Sequence, residues 1–217
     1  MAHQFHLADL FEIVAAAVPE RVALQSDAGA LTYAALDERS DRLAVGLSEH
    51  GIGRGDTVGL YLMNGPEYLE AFLAAAKIGA VPFNVNYRYG VEELAYLFAN
   101  AGAKAVVHNA EFAPAMRILG ERLPNIACAI TVGGAADAEN PASVAYDSLL
   151  ASTARKGFDR SEDDILLQYT GGTTGMPKGV MWPHKAFFFS CLGGGGHFHP
   201  AGPIAMPEDI AGRAREG

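Results

Sequence analysis

Apolar residues recur at helical spacing from the start of the chain. Leu7, Leu10, Phe11, Val14 and Val18 share one face, and Pro19 closes the segment. Arg21–Ser26 alternates, with Val22 and Leu24 on one side, and predicts a short strand ended by the turn Asp27-Ala28-Gly29. Thr32 is placed to cap a helix whose apolar face carries Leu36, Leu43 and Leu47, with Gly51 as its stop. The pattern then repeats. Thr57–Leu62 is a strand, and Asn64-Gly65-Pro66-Glu67 starts a helix with Asn64 as its cap. That helix turns Tyr68, Phe72 and Ala76 inward and ends at Gly79. Ala80–Val85 is apolar but for Asn84 and reads as a strand of the buried kind. Val91–Ala101 is a helix ending at Gly102, and Ala103–His108 and Ile126–Val132 are further strands. Strands alternating with helices of this length predict an α/β fold with a mostly parallel sheet flanked by helices. The strands at 57–62, 80–85, 103–108 and 126–132 are expected to be neighbours.

Composition narrows the class. Half the residues are hydrophobic and 19% are charged, which supports a packed core. A net charge of −9 with no Lys/Arg run argues against nucleic acid as a partner. Cys128 and Cys191 lack CxxC or metal-ligand spacing and read as reduced thiols. The N-terminus has no basic residue ahead of its apolar stretch, and Asp9 and Glu12 interrupt that stretch, so it is not a secretory signal. Tyr68–Val85 contains Glu70, Lys77 and Pro82 and is too broken for a transmembrane segment. The chain reads as cytoplasmic. Gly133–Ser143 is polar and aperiodic and reads as an internal linker. Pro200–Gly217 reads as loop, so the chain is expected to end without a closing strand or helix and to expose apolar surface.

The chemistry concentrates in one stretch. A strand, Asp164–Tyr169, runs into Thr170-Gly171-Gly172-Thr173-Thr174-Gly175-Met176-Pro177-Lys178-Gly179, followed by Val180-Met181-Trp182. Glycines let backbone N–H groups converge without side-chain clash. Thr170, Thr173 and Thr174 add hydroxyls, and Lys178 adds a mobile charge. Such a donor set suits a polyphosphate. A Walker A loop has Gly directly before its Lys and Ser/Thr directly after; here Pro177 precedes Lys178 and Gly179 follows. An ordinary Gly/Thr-rich hairpin loop has the same composition.

The stretch YTGGTTGMPKGVMW resembles the phosphate-binding signature of the adenylate-forming superfamily, which includes acyl-CoA synthetases. LADLFEIVAAAVPERVAL and the segment from LTYAALDERSD to FNVNYRY resemble that family's N-terminal regions, in order and spacing. Among its subfamilies, the wording Met-Pro-Lys-Gly-Val-Met-Trp is most similar to ligases for fatty acids or sterol side-chain acids. The resemblance implies two half-reactions. A carboxylate attacks the α-phosphate of ATP to give an acyl-adenylate and pyrophosphate, and CoA thiol then displaces AMP. It also implies ATP and Mg²⁺ as cofactors, CoA as cosubstrate and a small-molecule carboxylic acid as substrate, and it admits a homodimer. Thr170 would serve the Mg²⁺–phosphate site. Gly171, Gly172 and Gly175 would line the loop, and Thr173, Thr174 and Lys178 would contact phosphate, with Lys178 the catalytic member. Family members run well over twice this length, and their adenine, ribose, hinge and catalytic-lysine motifs lie downstream. Residues 1–217 are therefore expected to form the N-terminal part of the large AMP-binding domain and not to catalyse the full reaction alone. A non-catalytic phosphate-binding module is the other reading.

Three further groups stand out. His197 and His199, with His184 nearby in sequence, form a weak metal-ligand pattern. Phe187-Phe188-Phe189 reads as helix core, with one wall of an acyl tunnel as its functional alternative. Tyr87-Arg88-Tyr89 reads as turn packing or a surface contact.

Overall fold

The computed structural model describes residues 3–27, 29–153, 157–172, 175–196 and 199–216, with backbone alone at 171, 172 and 175. In chain order the elements are α1 (Leu7–Ala17), β1 (Val22–Ser26), β2 (Gly29–Thr32), α2 (Tyr33–Glu49), β3 (Thr57–Tyr61), α3 (Pro66–Lys77), β4 (Val81–Asn84), α4 (Val91–Ala101) and β5 (Ala103–Asn109). They continue with α5 (Ala113–Arg122), β6 (Cys128–Val132), β7 (Ser143–Ala145), α6 (Tyr146–Leu149), β8 (Ile165–Gly172), β9 (Gly175–Pro183), α7 (His184–Cys191) and α8 (Ile210–Glu216).

The main sheet has seven strands in the order β7-β6-β5-β3-β4-β8-β9. All neighbouring pairs are parallel except β8–β9, which form an antiparallel hairpin at one edge. The four strands expected to be neighbours are adjacent and parallel. β1 and β2 form a separate antiparallel ribbon.

Alternation along the strands builds a core on each face of the sheet. Val58, Leu60, Ala105, Val107 and Ile130 join α2 and α3 on one side. Tyr61, Phe83, Val106 and Ala129 join α4 and α5 on the other. Both faces are covered, which is why the inner strands carry no polar alternation. A third, smaller cluster joins Leu10, Phe188 and Ile204. Among the described residues, no helix is long and apolar enough to cross a membrane.

Local chemistry explains where the elements start and stop. Thr32 caps α2, its hydroxyl accepting the Ala35 N–H. Gly102 ends α4 in the left-handed region, where a side chain would be strained. Behind α3 lies a buried ion cluster. The Lys77 ammonium sits 2.6 Å from Asp37 and 2.5 Å from Asp41, and is only 2% exposed.

Several sequence expectations are corrected. The cap of α3 is Gly65 rather than Asn64, because Pro66 takes the first helical position. Helix α5 was not anticipated. Its Pro114 suggests a break, but the proline lies in the first turn, where a missing N–H costs nothing. The 133–142 segment joins β6 to β7 within one sheet, and Arg117 pairs with Asp137 across it at 3.0 Å. The C-terminal region also ends differently. Pro207 opens a 3₁₀ turn that leads into α8. Arg21 donates to the carbonyls of Ala214 and Arg215 and so caps the last turn of α8 from across the molecule.

Candidate functional site

The Gly/Thr-rich stretch is less of a loop than its composition suggests. β8 continues to Gly172 and β9 begins at Gly175, so the motif forms the two strands of a hairpin. Thr173 and Thr174 lie outside the described residues. The pairing runs Ile165–Pro183, Leu167–Met181, Tyr169–Gly179 and Thr170–Lys178, with Gly172 opposite Gly175. Residues directly opposite in an antiparallel pair project to the same face. Thr170 and Lys178 therefore stand together, both exposed, on the face that also carries exposed Gln168 and Val180.

Lys178 is among the described cations that no described carboxylate holds, as is Arg88, which lies over the Tyr87 ring. Many described cations are held by carboxylates, among them Arg54 by Asp164 at 2.6 Å, Lys104 by Asp56 at 2.8 Å, Arg160 by Asp9 at 2.5 Å and Lys185 by Glu162 at 2.7 Å. Lys178 makes no ion pair with any described residue. In a chain of net charge −9 it offers an uncommitted positive charge beside a hydroxyl. A cation and a hydroxyl side by side suit an anionic ligand such as a phosphate group.

On the opposite face Tyr169 is buried and fixes the hairpin to the sheet. Tyr169 is the residue before Thr170, and its ring lies against Gly179, where a Cβ would come within 2.9 Å of the ring. Only glycine fits beneath that ring. The Tyr169 ring meets Phe83 edge-on with centroids 5.9 Å apart. Its hydroxyl donates to Asn100 Oδ1 at 2.7 Å. Burial and the neighbouring Tyr96 raise the pKa of that phenol, so it remains a donor. The Asn84 side chain bonds both backbone groups of Tyr169. The sequence reading missed Asn84 and Asn100. Asn84 did leave a signal: it is the one polar residue in the apolar run Ala80–Val85.

The downstream end of the hairpin is anchored by two histidines. His184, which begins α7, stacks on His6 with ring centroids 4.0 Å apart, and both are fully buried. His6 Nδ1 accepts the Ala8 N–H and His184 Nδ1 accepts the Leu7 N–H, at 3.1 and 3.2 Å. Each ring therefore carries its proton on Nε2, and neither Nε2 finds a hydrogen-bond partner among the described residues. Burial first, then the charge of the other ring and of Arg160 and Arg54, lowers the His6 pKa to about 2. Burial lowers that of His184 to about 4, against the opposing pull of Asp164.

Among the described residues, His184 and His199 do not share a site. His184 is buried against His6, while His199 sits at the surface, 2.9 Å from Glu216; His197 and Phe198 lie outside the described residues. Glu12, Asp37 and Asp41 do converge, but the Lys77 ammonium lies among them, 3.5 Å from Glu12. Phe188 is core, as expected. Phe187 is half-buried and lines a cavity of about 350 Å³ with Tyr68, Leu69, Phe72 and Leu167. In the 87–89 turn, the Arg88 guanidinium lies 5.4 Å from the Tyr87 ring centre, and Tyr89 packs against the core.

Comparison with known proteins supplies the family. The family model described as "AMP-binding enzyme" matches residues 11–209. A 3-oxocholest-4-en-26-oate--CoA ligase of Rhodococcus rhodochrous is 43% identical over 197 residues, which is 89% of this chain and 35% of that protein. A medium/long-chain-fatty-acid--CoA/3-oxocholest-4-en-26-oate--CoA ligase of Mycolicibacterium smegmatis is 41% identical over 97% of this chain and 38% of its own length. The chain thus spans little more than a third of these relatives. Among solved structures, the N-terminal domain of FACL13 from Mycobacterium tuberculosis superposes with a TM-score of 0.70 at 28% identity, covering 85% of this chain and 45% of that one. An anthranilate CoA ligase bound to anthranoyl-AMP shares the fold with a TM-score of 0.81 at 21% identity, over 90% of this chain and 38% of that one. A signature hairpin, a parallel sheet that carries it and a family match over most of the length agree: this chain belongs to the AMP-binding enzyme family.

Proposed function

We propose that this chain supplies the polyphosphate-binding part of an ATP-dependent acid--CoA ligase acting on a fatty acid or a sterol side-chain acid. The observation that carries the reading is the exposed face of the β8–β9 hairpin, where Thr170 stands beside Lys178, which makes no ion pair with a described residue. On this reading Gly171, Gly172 and Gly175 let backbone donors approach the phosphates. Thr173, Thr174 and Lys178 contact the β- and γ-phosphates, and Thr170 contributes to the Mg²⁺–phosphate site. The work is electrostatic: the hairpin neutralises pyrophosphate as it leaves the acyl-adenylate. CoA then takes the acyl group in the second half-reaction. The names of the relatives, ligases for oxocholestenoate and for medium and long fatty acids, support this substrate class.

The direct test is ligand binding by the chain itself. Trp182 is the single tryptophan and lies in β9, four residues beyond Lys178, so it reports on the hairpin. Titration with magnesium tripolyphosphate and with MgATP should give a saturable fluorescence change that weakens as salt rises. Lys178→Ala should abolish or strongly weaken it. No saturable binding by the unmodified chain, or equal binding by the variant, would overturn the proposal. Binding of MgATP without acyl-adenylate formation is the expected behaviour of this chain alone.

A further inference from the structure

The hairpin is attached to the rest of the sheet at a narrow point. β9 is an edge strand and pairs only with β8. β8 in turn pairs with β4 at one register position, Phe83 with Leu167. β4 ends one residue later, at Asn84, yet β8 runs on to Thr170 and Gly172. A strand that loses its neighbour leaves N–H and C=O groups without a ladder partner.

One side chain takes over from the ladder. Asn84 Oδ1 accepts the Tyr169 N–H at 2.8 Å, and Asn84 Nδ2 donates to the Tyr169 carbonyl at 3.1 Å. A carboxamide has the same donor and acceptor as a peptide group, so it can stand in for a strand's backbone. The atoms it holds belong to the residue directly before Thr170. On the other side chain of the same junction, the Tyr169 ring is wedged between Phe83 and Gly179 and tied by its hydroxyl to Asn100. With the backbone of Tyr169 clamped by Asn84 and its ring wedged, neither twist nor slip of the hairpin relative to β4 is free.

We propose that Asn84 is a positioning residue for the phosphate-binding hairpin, fixing the direction in which Thr170 and Lys178 face the polyphosphate. This rests on the reading of the hairpin as a polyphosphate site. Each arm of the Asn84 amide bonds a backbone group of Tyr169, so its described role is to hold the strand. Its effect is geometric. Misplacing a binding group by about 1 Å costs on the order of a hundredfold where geometry governs the rate. Two substitutions separate the elements of the clamp. Asn84→Leu keeps the shape and removes both hydrogen bonds. Asn84→Asp keeps the acceptor for the Tyr169 N–H but replaces the donor by an oxygen facing the Tyr169 carbonyl.

The test uses the 217-residue chain and two readouts. The first is amide hydrogen exchange, comparing peptides of the hairpin (165–183) with those of the central strands β3 and β5. The second is magnesium tripolyphosphate affinity from Trp182 fluorescence. In both variants, exchange across the hairpin should rise about tenfold or more while β3 and β5 stay protected, and the affinity should fall by about tenfold or more. Tyr169→Phe, which removes only the bond to Asn100, should leave the hairpin more protected than either Asn84 variant. Unchanged hairpin exchange, or faster exchange spread evenly over the sheet, would overturn the proposal. So would an unchanged affinity in a chain whose hairpin has loosened. If Asn84→Leu does not fold, Asn84→Asp carries the same two comparisons. A wild-type chain that does not bind tripolyphosphate would refute the polyphosphate reading instead, and the exchange comparison would then decide by itself whether Asn84 holds the hairpin.

Discussion

Mild acid should destabilise this protein in a window set by the His6–His184 stack. Both rings are fully buried, and their pKa values are lowered from the ordinary 6.5 to about 2 and about 4. The sign follows from proton uptake. Above the ordinary value both states carry neutral imidazoles and the pair is silent. Below it the unfolded chain binds two protons that the native state refuses until His184 accepts one near pH 4. Stability therefore falls as pH falls. Each proton contributes about 1.4 kcal/mol per pH unit, so the pair contributes about 2.7 kcal/mol per unit. At about pH 5 the loss reaches about 4 kcal/mol, a large part of a typical domain's 5–15 kcal/mol. Paired carboxylates add their own acid sensitivity lower down, as for Glu162, which Lys185 holds below its ordinary 4.5. The two windows are thus separable. The assay is urea unfolding followed by Trp182 fluorescence at about pH 7.5, 6 and 5, repeated on the double variant His6→Asn, His184→Asn. The Asn carbonyl oxygen can replace Nδ1 as acceptor for the Ala8 and Leu7 N–H groups and does not titrate. His108, also buried and lowered, is common to both proteins and cancels in the comparison. The variant should show a shallower decline between pH 6.5 and 5, by up to about 2.7 kcal/mol per unit. Equal slopes in the two proteins would refute the reasoning.

Other consequences can be checked independently. In an intact ligase carrying this sequence, Lys178→Ala should remove a charge-assisted phosphate contact of about 1.5–3 kcal/mol and slow adenylation by roughly ten- to a hundredfold. Thioester formation from preformed acyl-adenylate should be nearly unaffected, since pyrophosphate leaves only in the first step; single-turnover kinetics of each step decides this. Gly179→Ala should push against the Tyr169 ring, which a Cβ would approach to 2.9 Å. An overpacking cost of about 1–3 kcal/mol is expected in urea melts, together with weaker tripolyphosphate binding. Lys77→Met should destabilise by about 3–5 kcal/mol, because it withdraws the ammonium from between Asp37 and Asp41. A melting temperature within a degree or two of wild type would show that cluster to be dispensable.

Periodicity made the scaffold legible. Thr57–Tyr61, Val81–Asn84, Ala103–Asn109 and Cys128–Val132 announce themselves because strands buried on both faces cannot carry polar alternation. The motif was legible as a stretch, since its glycines, threonines and lysine fall within ten residues, but its composition suited an ordinary hairpin as well as a phosphate site, and only the family resemblance favoured the second. Other features were set by contacts distant in sequence. Residues 170–172 and 175–179 became strands because β8 and β9 found each other, overriding a composition that favours loop. Helix α8 formed where Pro and Gly argued against it, because it packs on α1 and Arg21 caps it from 193 residues away. The face of the hairpin that is free to meet a ligand was decided by Tyr169 turning inward onto Gly179 and Phe83. The asparagine that holds Tyr169 lies 85 residues upstream of it. A side chain's type is local, but its partner is set by which strands the sheet makes neighbours, so the line of residues Asn84–Tyr169–Lys178 exists only once β4, β8 and β9 are side by side.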